Sequence, residues 1–61
     1  MNLTVFACYR ITTRKRTIDL MFRGRPESSR RLWFTELDAP YGDVFLRPQQ
    51  ILAYAPLDAQ R

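Results

Sequence analysis

The amino-acid sequence predicts an all-β fold of five short strands. Three observations carry that expectation. Apolar residues in the first 23 positions recur at every second residue rather than every three or four. A polar gap divides them into two runs that fit the arms of a hairpin. From Gly24 onward, Pro and Gly punctuate the chain into short segments.

From Leu3 to Ile11, Leu3, Val5, Ala7, Tyr9 and Ile11 fall on one side, and Thr4, Phe6, Cys8 and Arg10 on the other, as in a strand. The next run, Arg16 to Arg23, sets Ile18, Leu20 and Phe22 against Thr17, Asp19, Met21 and Arg23. Thr12 to Lys15 connects the two, and without an Asn-Gly or Asp-Gly pair the turn is expected to take four or five residues. One register satisfies both faces. Ile11 opposite Ile18, Tyr9 opposite Leu20 and Ala7 opposite Phe22 make a continuous apolar face. The reverse face then pairs Arg10 with Asp19, Cys8 with Met21 and Phe6 with Arg23, and a slip of one residue loses every pair.

Gly24 to Arg30 reads as a loop, in which Pro26 pushes Arg25 into an extended conformation and has room to start a single helical turn. Leu32 to Leu37 is a third strand, and the succession Leu32, Trp33, Phe34 implies that both of its faces are at least partly covered. Ala39 to Asp43 is a turn, with Pro40 expected at its first central position and Gly42 relieving the backbone. Val44 to Arg47 is a short fourth strand ended by Pro48. Pro48 to Ile51 fits one 3₁₀ turn before a last strand, Leu52 to Tyr54, and Pro56 and the residues after it are expected to fray.

In order and length these elements resemble the SH3-like small barrel over residues 3 to 55. The resemblance is architectural and implies a closed five-stranded barrel with a 3₁₀ turn before the last strand. The alternative is a small α+β fold, a β-hairpin with helices over 26–33 and 48–55. Either way the 61 residues make a single small domain, with an ordered core over 3–56 and a frayed tail over 57–61.

The chain carries ten basic and six acidic residues, a net +4, with nine Arg to one Lys, no His and one Cys. Without His there is no general base poised near neutrality, and a single Cys without a His partner is more often an apolar filler than a nucleophile. The single Cys also excludes an internal disulfide and a Cys-cluster zinc site. Glu36, Asp38 and Asp43 gather around the Pro40 turn, but their spacing matches no calcium loop, and a solvated turn accounts for them. The expectation is a non-enzymatic protein with no metal and no cofactor. Leu3 to Tyr9 lacks a basic lead and a cleavage signal, and no apolar run approaches the roughly 20 residues that span a bilayer. A cytoplasmic protein with Cys8 reduced and no membrane contact is therefore expected.

The distribution of charge says more than its total. Residues 10–31 hold eight basic groups against Asp19 and Glu27, a local +6, whereas residues 32–60 hold Arg47 against four acids, a local −3. Arg14, Lys15 and Arg16 sit at the hairpin tip, and Arg23, Arg25, Arg30 and Arg31 flank the next loop. Loops at one end of a small barrel can converge, which would join the two clusters.

Two binding functions fit. In the first, these basic residues take nucleic-acid phosphates, for which the Arg donor fork is well shaped, while Trp33, Phe34 or Tyr41 stacks on unpaired bases. In the second, the chain is an interaction or inhibitory module that uses the same basic residues, with Trp33 or Tyr41 as anchor, against an acidic protein surface. The apolar patch of Phe6, Cys8 and Met21 then supplies a homo-oligomer interface. Each aromatic also has an ordinary place in a core, and a net +4 is common in a small soluble domain.

Overall fold

A computed structural model describes residues 1–57 of the chain. Five strands, β1 (Cys8–Thr12), β2 (Thr17–Gly24), β3 (Leu32–Glu36), β4 (Asp43–Leu46) and β5 (Ala53–Pro56), form one antiparallel sheet in the order β4-β3-β2-β1-β5. A 3₁₀ turn, Pro48–Gln50, precedes β5. The fold is all-β; no α-helix occurs among the described residues, which removes the α+β alternative.

The β1–β2 hairpin has the register that the two faces dictate: Tyr9 opposite Leu20, Ile11 opposite Ile18, Arg10 opposite Asp19 and Cys8 opposite Met21. Its loop closes on four residues, with the Thr13 N–H donating to the Arg16 carbonyl at 2.8 Å. Arg10 Nε and Asp19 Oδ1 meet at 2.9 Å across the solvent face.

The first strand is shorter than the alternation of Leu3 to Ile11 suggests. Leu3 to Ala7 is instead a non-strand segment with a turn, in which the Ala7 N–H donates to the Thr4 carbonyl at 3.0 Å and Phe6 takes the left-handed φ of 70°. The Tyr9 hydroxyl accepts the Thr4 N–H at 2.7 Å and holds the segment back over the core. Phe6 and Ala7 both bond to Phe22, through Phe6 N–H to the Phe22 carbonyl and Phe22 N–H to the Ala7 carbonyl, a two-against-one bulge. At the far end of β2 the ladder to β3 shifts between Phe22 and Gly24, and Gly24 takes a φ of 119° that an L side chain resists.

Tyr9, Ile11, Leu20, Phe22, Leu32, Phe34 and Ile51 form the core on the concave side. Ile11, Leu20 and Phe34 are wholly buried, and full burial of such a side chain contributes about 1.5–3 kcal/mol. Leu3 and Ala7 pack against this cluster, which explains why their apolar character is kept outside a strand.

The closed barrel is not formed. β4 and β5 are the two edges and share no ladder. Where they would meet, Val44 and Leu46 face Ile18 and Leu52 across a hollow of about 410 Å³. Pro48 stops β4, and Pro56 ends β5 without an N–H to offer, so both edge strands are four residues long and leave the seam open.

Smaller differences concern turns and ends. The Pro26 segment forms a turn, Ser29 N–H to the Pro26 carbonyl at 3.0 Å, and not a helical turn. Pro40 sits at the second central position of the Asp38–Tyr41 turn, where the expectation placed it at the first, and its peptide bond is cis. Pro56 belongs to β5, and the Leu57 N–H donates to the Cys8 carbonyl at 2.9 Å; the rest of the tail expected to fray, 58–61, lies outside the described residues. No helix among the described residues is long and apolar enough to cross a membrane.

Candidate functional site

Four arginines converge where the β2–β3 loop meets the end of β4. Arg25, Arg30 and Arg31 come from the loop and Arg47 from the residue after β4; together with Ser28, Ser29 and Gln49 they line a hollow of about 740 Å³. Local hydrogen bonds set the frame. The Ser29 Oγ accepts the Arg31 N–H at 3.0 Å, and the Gln50 Oε1 accepts the Arg47 N–H at 2.8 Å while the Gln50 N–H returns to the Arg47 carbonyl at 2.9 Å. Ser28 holds a left-handed φ of 63° at the tip of the loop.

Among the described residues, no acidic side chain lines the hollow. Among the described residues the one salt bridge of the molecule is Arg10 with Asp19, and the guanidinium groups of Arg25, Arg30, Arg31 and Arg47 make no hydrogen bond. The Arg10 pair shows the contrast. Its hydrogen bond and charge hold the Asp19 carboxyl below the usual carboxylate range and raise Arg10. Four arginines lining one hollow, none of them paired with a carboxylate among the described residues, favour an incoming anion.

Beside the hollow, on the convex face of the sheet, runs a row of stacked side chains. The Arg23 guanidinium lies 5.7 Å from the Phe6 ring centroid and 4.6 Å from the Trp33 ring. Trp33 in turn stacks on Phe45, with centroids 6.3 Å apart and planes 9° from parallel. Arg23 also donates through Nη1 to the Thr35 hydroxyl at 3.1 Å, and that hydroxyl donates to Asp43 at 3.1 Å. Arg23 Nε and Trp33 Nε1 are buried without a hydrogen-bond partner, so contact with the rings replaces the bonds that these donors would make in water.

The residues singled out in the sequence therefore divide. Arg25, Arg30 and Arg31 share the hollow. Arg14, Lys15 and Arg16 are exposed at the hairpin tip, at the opposite end of the eight-residue β2, and border the apolar seam instead. The two clusters line separate hollows, and Gln49 of the 3₁₀ turn rims both. Arg23 and Trp33 belong to the convex row, and Phe34 is core. Tyr41, exposed at a φ of 60°, lies in the β3–β4 turn, at the other end of β3 from Arg31. Phe6 is 65% exposed on the convex face, beside the half-buried Cys8 and Met21.

Of the three carboxylates around the Pro40 turn, two are engaged: Glu36 Oε1 accepts the Gly42 N–H at 3.0 Å and Asp43 accepts from Thr35. Two site residues, Phe45 and Arg47, escape the sequence reading. The signal that marks them is the alternation Asp43, Phe45, Arg47, which puts all three on one face, but position along the chain groups Arg47 with the acidic half. Comparison with protein-family models, with curated proteins and with solved structures finds no match to this chain.

Proposed function

We propose that this chain is a non-enzymatic, cytoplasmic binding module that takes nucleic-acid phosphates in the arginine hollow. The observation that carries the reading is the convergence of Arg25, Arg30, Arg31 and Arg47 around one hollow that no acid lines among the described residues. Guanidinium forks match phosphate oxygens, and each phosphate neutralised releases counterions, so affinity and salt sensitivity arise from the same four groups. The strand order, the long β2 shared by both halves of the sheet and the 3₁₀ turn before β5 support reading the fold as an SH3-like barrel with one open seam.

The test compares two charge reversals for binding to a mixed-sequence oligonucleotide. Arg30→Glu with Arg31→Glu is expected to weaken binding tenfold or more, at about 1 kcal/mol or above for each phosphate no longer held. Arg14→Glu with Arg16→Glu is expected to have a smaller effect. The reverse order would move the site to the hairpin tip, and no binding by the parent chain would remove the reading.

A protein partner is the second reading, favoured by Phe6, an aromatic 65% exposed beside Cys8 and Met21. Such a patch suits self-association, while an acidic protein surface would be met by the basic residues. A concentration-dependent dimer in sedimentation that Phe6→Ser abolishes would support it.

A further inference from the structure

One corner of the molecule joins the convex row to the arginine hollow. Arg31 and Arg47 flank the end of the β3–β4 ladder, just beyond the Leu32–Leu46 pair, and both line one hollow with Phe45. Neither arginine has an acidic partner among the described residues. Next to them stands Phe45, 46% exposed, although its neighbours Val44 and Leu46 pack against the core. The Phe45 ring stacks with Trp33, and the Arg23 guanidinium also lies over Trp33. This second hollow, of about 400 Å³, is bounded by Phe45, Arg31, Arg47, Gln49 and Gln50.

We infer that this corner holds one unpaired nucleotide of a single strand, its base stacked on Phe45 and its phosphate between Arg31 and Arg47. The inference deepens the nucleic-acid reading above and rests on it. A phosphate placed there meets two guanidinium groups that have no carboxylate partner among the described residues, and each offers it a donor fork. Phe45, Trp33 and Arg23 are already in contact without a ligand, so the platform needs little rearrangement to receive a base. Duplex bases, stacked on their own neighbours, have no free face to place against Phe45, whereas every base of a single strand has one. The Gln50 Oε1 is occupied by the Arg47 N–H, which leaves its amide NH₂ as a donor toward a base edge.

The experiment measures binding of the full chain to a single-stranded oligonucleotide and to the duplex of the same sequence, at one salt concentration. DNA and RNA single strands are run as separate arms, and stacking-dependent binding in either supports the assignment. The parent is expected to bind single strands more tightly than duplex. Phe45→Leu keeps an apolar side chain but no flat face, and should weaken single-strand binding about tenfold while leaving duplex binding nearly unchanged. Phe45→Tyr should restore it.

The chain has one tryptophan, so quenching of Trp33 emission by single strands but not by duplex gives a readout that needs no variant. Equal binding and equal quenching by both forms would overturn the inference, as would a folded Phe45→Leu protein that binds single strands like the parent. Arginine-dependent binding of both forms alike would leave the phosphate reading standing and this one refuted. No binding to either would end both.

Discussion

Ser28 shows how a single backbone angle shapes the candidate site. Its φ of 63° falls at the third position of the Pro26–Ser29 turn, where glycine is the favoured residue. A non-glycine residue held there costs about 1–2 kcal/mol, against roughly 0.4–1 kcal/mol of unfolded-chain entropy that glycine would reintroduce. The strain wins, so Ser28→Gly should stabilise the domain by about 0.5–1 kcal/mol, a rise of several degrees in Tm for a chain of this size. Ser28→Val, β-branched, should lower Tm instead. Thermal unfolding followed by circular dichroism checks both, and the same sign for the two variants would show that the loop does not hold this angle. Phe6 and Tyr41 share the left-handed backbone, and none of the three is visible in the sequence, because periodicity reports which face a residue takes and not the sign of its φ.

Among the elements, the hairpin is the most legible. Two runs of period two and six complementary cross-strand pairs allow one register; the structure keeps four of the pairs, and a bulge at Phe6 and Ala7 replaces Ala7–Phe22 and Phe6–Arg23. Alternation misleads at Leu3 to Ala7, where apolar residues pack on the core from a turn, and it is silent about Phe45 and Arg47, whose partners come from β3 and the loop before it. The Arg10–Asp19 pair gives the hairpin a pH signature. Arg10 lowers the Asp19 carboxyl in the folded chain, so the contribution is complete above the unfolded-state pKa and is lost as pH falls through the folded one. The stability difference between the parent and Asp19→Asn should therefore shrink from neutrality into the acid range. Both groups face solvent, so the effect is small, and urea titrations at several pH values resolve it best. A difference independent of pH would mean that the pair does not form in solution.

At the scale of the whole molecule, charge is sorted along β3 and β4. Arg31 and Arg47 stand at one end of this strand pair, and Glu36, Asp38 and Asp43 at the other. The sequence shows the separation as +6 against −3, but the fold moves Arg47 from the acidic segment to the basic end. Arg14, Lys15 and Arg16 stand at the other end of β2 from the hollow, as their order along the chain already implies, while the lining of both hollows by Gln49 of the 3₁₀ turn is not legible in the sequence. The open seam is equally illegible, since strand lengths do not say whether two edges will pair.

If four arginines meet phosphates, the logarithm of the binding constant for a single strand should fall against the logarithm of salt with a slope of about −3. Arg31→Gln with Arg47→Gln should reduce that slope by about 1.5, since only two of the four guanidinium groups remain. The most direct measurement is this salt titration on the parent and the double variant side by side. The expected result is a steep slope for the parent and about half of it for the variant. Binding indifferent to salt, or a slope that the double variant leaves unchanged, would contradict the assignment of phosphate contact to this hollow.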